Sequence, residues 1–327
     1  MLQGSIKEKL VNNIAQMTGV HMAEMHSLDW VTVRELEVAV RIWNPDAPRT
    51  LVAWHGLARH GGDFTDLARE LGSEWRILAP DTPGRGLSSW SLYPAHDYLY
   101  AHYMTVAVAI LDHFELDSVA WVGTSMGGLL GMLLAAEPAT AGRIDRLVMN
   151  DVGPELAAEG LAELGRYFSV PHRFTRLSQL QAELKRHYAA FGIDDEAAWR
   201  RLTIDSARRL PDGSWTYHYD PRIGEQFIHD TPRDTWADWA AIRCPLMVVR
   251  GADSTLLTAE SVARMVERQP TLVTLDVPGC GHAPMLDRPG QVDPIRQFLE
   301  ADPIRPAPPV TDQRRPWWKK LLGLGDA

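Results

Sequence analysis

Residues 119–128 read Val-Ala-Trp-Val-Gly-Thr-Ser-Met-Gly-Gly. A short apolar run leads straight into Gly-Thr-Ser-Met-Gly, a G-x-S-x-G string. The run predicts a buried strand, and Leu129 to Ala136 is built of helix formers and small residues. The chain must therefore turn sharply from strand to helix with Ser125 at the apex. Such a turn strains the backbone at the serine and leaves no room for bulk two residues to either side, where Gly123 and Gly127 stand.

Strand-like stretches recur around this one, at 28–34, 36–43, 50–54, 75–79, 146–149, 245–249 and 272–275. Helical patterns cover 4–17, 63–71, 102–114, 126–136, 262–268 and 292–299. The first three strands follow one another with no helix between them, which predicts an antiparallel start. Thereafter strand and helix alternate, which predicts a mostly parallel α/β sheet of eight strands, covered by helices on both faces. The alternation breaks between residues 155 and 241. That stretch lacks buried-strand runs and is rich in helix formers, aromatics, Arg and His, so it reads as a helical insertion. The expected organisation is a core in two parts, residues 1–154 and 242–301, a helical cap at 155–241 and a Pro-rich tail at 302–327 carrying Trp317-Trp318-Lys319-Lys320.

Composition narrows the function. The 327 residues are 45% hydrophobic and 23% charged, ordinary for a globular chain large enough to bury a core. A net charge of −9 argues against nucleic acid as a partner. Cys244 and Cys280 are too few for a disulfide framework or zinc spacing. No secretory leader or run of about 18 apolar residues is visible, so the expectation is a cytoplasmic protein without a transmembrane segment.

A serine needs a base to become a nucleophile. His282 is the candidate, in a Gly- and Pro-bracketed loop after the last strand (Pro-Gly-Cys-Gly-His-Ala-Pro). Loops after the ends of parallel strands share one rim of the sheet, so Ser125 and His282 can meet there. An acid should hold the other imidazole nitrogen. Asp253, after the strand at 245–249, is the first choice and Asp151, after the strand at 146–149, its rival. With Asp253 the chain order is Ser, Asp, His. Donors for an oxyanion are expected from the backbone N–H of Met126 and of Leu57, the latter in the loop Trp-His-Gly-Leu-Ala. Gly56 permits close approach there, and His55 supports the loop rather than acting as the base.

These residues carry a resemblance. His55-Gly56, Asp81-Thr82-Pro83-Gly84-Arg85-Gly86-Leu87-Ser88, the Ser125 block, Gly251-Ala252-Asp253 and Gly281-His282 match, in order, the blocks of His-Gly-type α/β-hydrolases with a helical cap. The chain resembles that family over roughly residues 28–300. Arg85 departs from the pattern, since many relatives carry His there; the block reads as a structural turn either way. A serine nucleophile separates the chain from the haloalkane dehalogenase and epoxide hydrolase branches.

The resemblance implies a serine hydrolase acting on a small ester, lactone or thioester, with no metal or organic cofactor. Hydrolysis of a C–C bond beside a ketone uses the same three residues and stays open, as does a non-catalytic binding protein on this scaffold. The cap aromatics Tyr167, Phe168, Tyr188, Phe191, Trp199, Trp215 and Tyr217 are candidates for the pocket, though most should only hold the cap together. Arg166, Arg173 and Arg176 are candidates for a substrate carboxylate. The Trp/Lys tail has the mix of a weak membrane or protein dock.

Overall fold

The computed structural model describes residues 26–155, 164–168, 170–230 and 234–301. The helix expected at 4–17 and the Trp/Lys tail lie outside them. The sheet is built from β1 (Ser27–Val33), β2 (Leu36–Trp43), β3 (Arg49–Trp54), β4 (Trp75–Pro80), β5 (Val119–Thr124) and β6 (Ile144–Asn150). An insertion carries the hairpin β7 (Ala207–Arg209) and β8 (Trp215–Tyr217), and the sheet resumes with β9 (Leu246–Gly251) and β10 (Val273–Val277). The spatial order is β1-β2-β4-β3-β5-β6-β9-β10. β2 runs antiparallel to β1 and β4, and every pair from β4 to β10 is parallel.

The strands alternate with a period of two, and both faces are apolar. Val52, Trp54, Trp121, Leu147, Met149 and Val248 enter one core, with Tyr103, Ile110 and Leu130 from the helices Tyr100–His113 and Met126–Ala136. Leu51, Ala53, Val122, Val148 and Val249 enter the other, with Leu67 and Ile295 from the helices Thr65–Leu71 and Pro289–Glu300. Burial on both sides is why these strands read as near-continuous apolar runs.

β3 and β5 are neighbours, but β3 connects onward to β4 on one side and β5 to β6 on the other, so the chain reverses its direction across the sheet between them. That switch opens a crevice beyond the ends of β3 and β5. The insertion between β6 and β9 contains the helices Leu177–His187, Glu196–Ser206, Glu225–His229 and Trp236–Ala241. It also holds the β7–β8 hairpin, which the sequence reading lacks. Each of its strands is three residues long, too short to show an alternating pattern. Among the described residues no helix is long and apolar enough to cross a membrane.

Among the described residues four histidines are buried: His55, His60, His102 and His218. Burial pushes His55 down to about 3 and His102 to about 4, and holds His60 and His218 well below the ordinary 6.5. All four are folded as neutral rings, while the unfolded chain binds their protons below 6.5. Their contribution to stability is therefore complete above pH 6.5 and is lost as pH falls toward their folded values. Each pH unit below 6.5 costs up to about 1.4 kcal/mol per such ring. The midpoint of urea unfolding should fall between about pH 7.5 and about pH 5. An unchanged midpoint would show that these rings charge without cost.

Candidate active site

Ser125 takes φ 51° and ψ −114°, outside the usual regions for a residue with a side chain. The glycines around it have no alternative. A Cβ on Gly123 would stand 2.2 Å from the Gly127 carbonyl carbon, and one on Gly127 would stand 2.1 Å from the Trp54 carbonyl oxygen. The turn is also tied down. The Ser125 N–H donates to the Asn150 carbonyl at 2.8 Å, and the Trp121 indole N–H donates to the Gly127 carbonyl at 2.9 Å. Trp121 in turn stacks on Trp54 of β3, 5.4 Å between ring centres. The elbow thus hangs on β3, β5 and β6 together.

Ser125 and His282 line one cavity of about 130 Å³. His282 Nδ1 lies 2.7 Å from an oxygen of Asp151, which is fully buried. The Gly251 N–H donates to Asp151 Oδ1 at 2.8 Å and the Ser254 hydroxyl to Oδ2 at 2.5 Å. With donors on both oxygens, the carboxylate is an acceptor toward the ring. It fixes the Nδ1–H tautomer and leaves Nε2 as the basic nitrogen.

The expected partner of His282, Asp253, does not reach it. Asp253 is exposed, and its backbone N–H donates to the Cys280 carbonyl at 2.9 Å, closing the loop that presents His282. The acid at the ring comes from the end of β6, not β9. β6 pairs with β5, so Asp151 emerges beside the serine elbow, and it takes a left-handed φ of 55° that turns the chain inward there. Aspartate is one of the few side chains that enter that region readily. Ser254, unremarked in the sequence, is the residue that holds this carboxylate from the β9 side.

The loop after β3 lies against Ser125: a Cβ on Gly56 would sit 3.7 Å from Ser125 Cβ. His55 is buried under it. Its Nδ1 is 2.7 Å from the Gly56 carbonyl, and its Nε2 accepts the Thr82 N–H at 2.9 Å. Burial, reinforced by the nearby Arg85 charge, keeps the ring neutral against the opposing pull of the Gly56 carbonyl. Nδ1–H therefore donates to Gly56. That carbonyl belongs to the same peptide group as the Leu57 N–H, so the bond polarises the Leu57 N–H as a donor. Met126, at the start of the helix Met126–Ala136, offers an N–H from the positive end of the helix dipole.

Arg85 proves to be more than part of a turn. It is fully buried; its Nε donates to the Leu57 carbonyl at 2.8 Å, and its Nη1 to the Pro83 carbonyl and the Tyr103 hydroxyl, each at 2.7 Å. Its guanidinium lies over the rings of Tyr98 and Tyr103, 5.6 and 5.3 Å from their centres. Here the residue that departs from the common family pattern ties the Asp81–Ser88 turn to the loop bearing Leu57. A lone Arg in a glycine-rich turn carries no sequence signal for that reach.

The insertion closes the cavity with Leu164, Phe168, Tyr188 and Phe191. The other cap aromatics hold the cap to itself. Tyr167 and Tyr217 share a 2.6 Å hydroxyl hydrogen bond, the Trp199 indole donates to the Ile193 carbonyl, and Trp215 lies under Arg209. Arg166, Arg173 and Arg176 are not among the residues lining the cavity; Arg173 pairs with Asp212. The arginine that does line it is Arg59, held by both oxygens of Asp63 and donating to the Ser206 hydroxyl at 2.6 Å. Burial pushes the thiol of Cys280, in the His282 loop, up to about 11, so it stays protonated near neutral pH.

Known proteins share the sequence and fold of this chain. A family model described as alpha/beta hydrolase matches residues 51–294. The chain is 38% identical over 266 residues to a 3-hydroxybutyrate-oligomer hydrolase of Cupriavidus necator, a match covering 78% of this chain and 90% of that protein. It is 28% identical over 232 residues to an esterase of Mycobacterium tuberculosis, covering 69% and 73%. Among solved structures, an alpha/beta hydrolase from Novosphingobium aromaticivorans superposes with a TM-score of 0.76 at 32% identity, covering 84% of this chain and 98% of that one.

Proposed function

The chain belongs to the alpha/beta hydrolase family and is an ester-hydrolysing enzyme, and from that premise we propose that it is a serine esterase for short hydroxyacyl esters, with Ser125, His282 and Asp151 as its catalytic residues. The observation that carries the reading is the 2.7 Å contact of His282 with Asp151 on the cavity that Ser125 lines. In the mechanism Ser125 Oγ attacks the ester carbonyl while His282 Nε2 takes its proton. Asp151 stabilises the imidazolium that forms. The oxyanion is held by the N–H groups of Leu57 and Met126. His282 then gives its proton to the departing alkoxide, leaving an acyl-enzyme. Water, deprotonated by the same nitrogen, releases the acid and restores the serine. No step calls on a metal or organic cofactor.

Cavity size and lining support a small acyl group. About 130 Å³ holds only a few heavy atoms. Phe64, Phe168 and Phe191 suit its methyl and methylene carbons, while Arg59, Asp63 and His187 offer polar partners. A short hydroxy acid fits both, which is the substrate type named for the Cupriavidus relative. The test is release of acid from the linear dimer of 3-hydroxybutyrate, run beside p-nitrophenyl acetate, p-nitrophenyl octanoate and a vinylogous diketone. Turnover of the dimer and the acetate, with little of the octanoate, is expected. Turnover of the acetate without the dimer would refute the hydroxyacyl assignment alone. Cleavage of the diketone without ester turnover would favour C–C hydrolysis.

Arg85 supplies a separate prediction. Arg85→Ala removes the donor to the Leu57 carbonyl and frees the loop by a fraction of an ångström or more. Misplacement on that scale costs about 100-fold in rate. Steady-state kinetics on p-nitrophenyl acetate should show this loss in kcat with little change in KM. A change confined to KM would show that Arg85 serves substrate binding instead.

A further inference from the structure

A second cavity lies away from Ser125, about 690 Å³ in volume, and shares no lining residue with the first. Its wall carries His96, Asp97 and His102. His96 and Asp97 sit on the short helix Pro94–Asp97, and His102 on the first turns of Tyr100–His113. His96 Nδ1 is 3.0 Å and His102 Nδ1 3.9 Å from the same oxygen, Asp97 Oδ1. One donor atom from each of the three residues falls within 4.8 Å of the others.

His102 makes this more than a surface cluster. It is only 2% exposed, and neither of its ring nitrogens has a hydrogen-bond partner. A buried polar atom left without a partner costs about 1–3 kcal/mol, and native structures leave few of them. Nδ1 of this ring points toward the one carboxylate oxygen that His96 already shares, at a distance too long for a hydrogen bond. An ion between the three donors would satisfy it.

We propose that His96, Asp97 and His102 form a binding site for a divalent transition metal of the zinc class, outside the hydrolytic centre, which clamps the helix Pro94–Asp97 to the helix Tyr100–His113. Two imidazoles and one carboxylate suit Zn²⁺ and its neighbours, whereas Mg²⁺ and Ca²⁺ prefer all-oxygen shells. Donors about 2.1 Å from a tetrahedral ion stand roughly 3.4 Å from one another. The two distances to Asp97 Oδ1, 3.0 and 3.9 Å, bracket that value, the third pair of donors lies within 4.8 Å, and the half-exposed side chain of His96 has room to adjust. The charged groups on the cavity wall, Arg34 and Glu35, oppose each other in sign. The fourth position is left to water.

The experiment is calorimetric titration of the chelator-treated full-length protein with ZnCl₂ near neutral pH. Wild type should bind one ion saturably. His96→Ala, a change at a solvent-facing side chain, should weaken that binding by about 100-fold or more, as should His102→Gln. His282→Ala should leave the isotherm unchanged, which separates this site from the hydrolytic histidine. Absence of saturable binding below about 1 mM would overturn the proposal. So would an isotherm that survives His96→Ala or disappears in His282→Ala. Because the readout is binding rather than turnover, it stands or falls independently of the esterase assignment.

Discussion

Ser125→Ala should lower kcat on p-nitrophenyl acetate by about 10⁶-fold, with KM changed little. The alanine keeps the elbow, because the strain at this position is borne by Gly123 and Gly127 and by the bonds to Asn150 and Trp121, none of which uses the hydroxyl. What disappears is the atom that attacks. The N–H donors of Leu57 and Met126 remain, so a residual rate of about 10³-fold over water is expected from them and from binding. Circular dichroism and the unfolding midpoint should match those of the wild type. If the variant retained a rate within tenfold of wild type, attack would have to come from water or another side chain.

Asp151→Asn should be the next most damaging change, at about 10⁴-fold in kcat, while Asp253→Asn stays within a few-fold of wild type. An amide at position 151 would still accept the Gly251 N–H or the Ser254 hydroxyl through its oxygen. Toward His282 it would present an NH₂ group, or a weaker neutral acceptor. The first favours the wrong tautomer, with Nε2 protonated and unable to take the serine proton; either loses the charge that stabilises the imidazolium. Asp253 touches the site only through its backbone N–H to Cys280, which the substitution spares. The two variants, assayed side by side, discriminate between two acids that both follow strand ends. A larger loss from Asp253→Asn would place the acid on β9 and contradict the geometry.

That contrast shows where the sequence is informative and where it stops. The inner strands of the sheet were legible because burial on both faces demands apolar runs, and Leu51 to Trp54 or Ala120 to Val122 can hardly be anything else. Ser125 was legible because its turn excludes side chains at 123 and 127 by direct collision with backbone. His282 was legible from its glycine-bracketed loop after the final strand. The acid was not. Chain order is satisfied by Asp151 and Asp253 alike, and the difference lies in which loop turns inward, a property of the left-handed residue after β6 and of its neighbour β5. Arg85 was read as a turn residue because its neighbours are turn residues. Its partners, Leu57 and Tyr103, are 28 and 18 positions away, and no local pattern joins them. The β7–β8 hairpin escaped for a different reason, since three residues cannot establish a period.

The claim beneath these expectations is that Ser125 is an activated nucleophile. The direct measurement is reaction of the folded protein with a fluorophosphonate, followed by intact mass and peptide mapping. One adduct per chain is expected, on Ser125, absent from Ser125→Ala and formed far more slowly in His282→Ala. An adduct on another residue, or none on a protein that still hydrolyses esters, would contradict it.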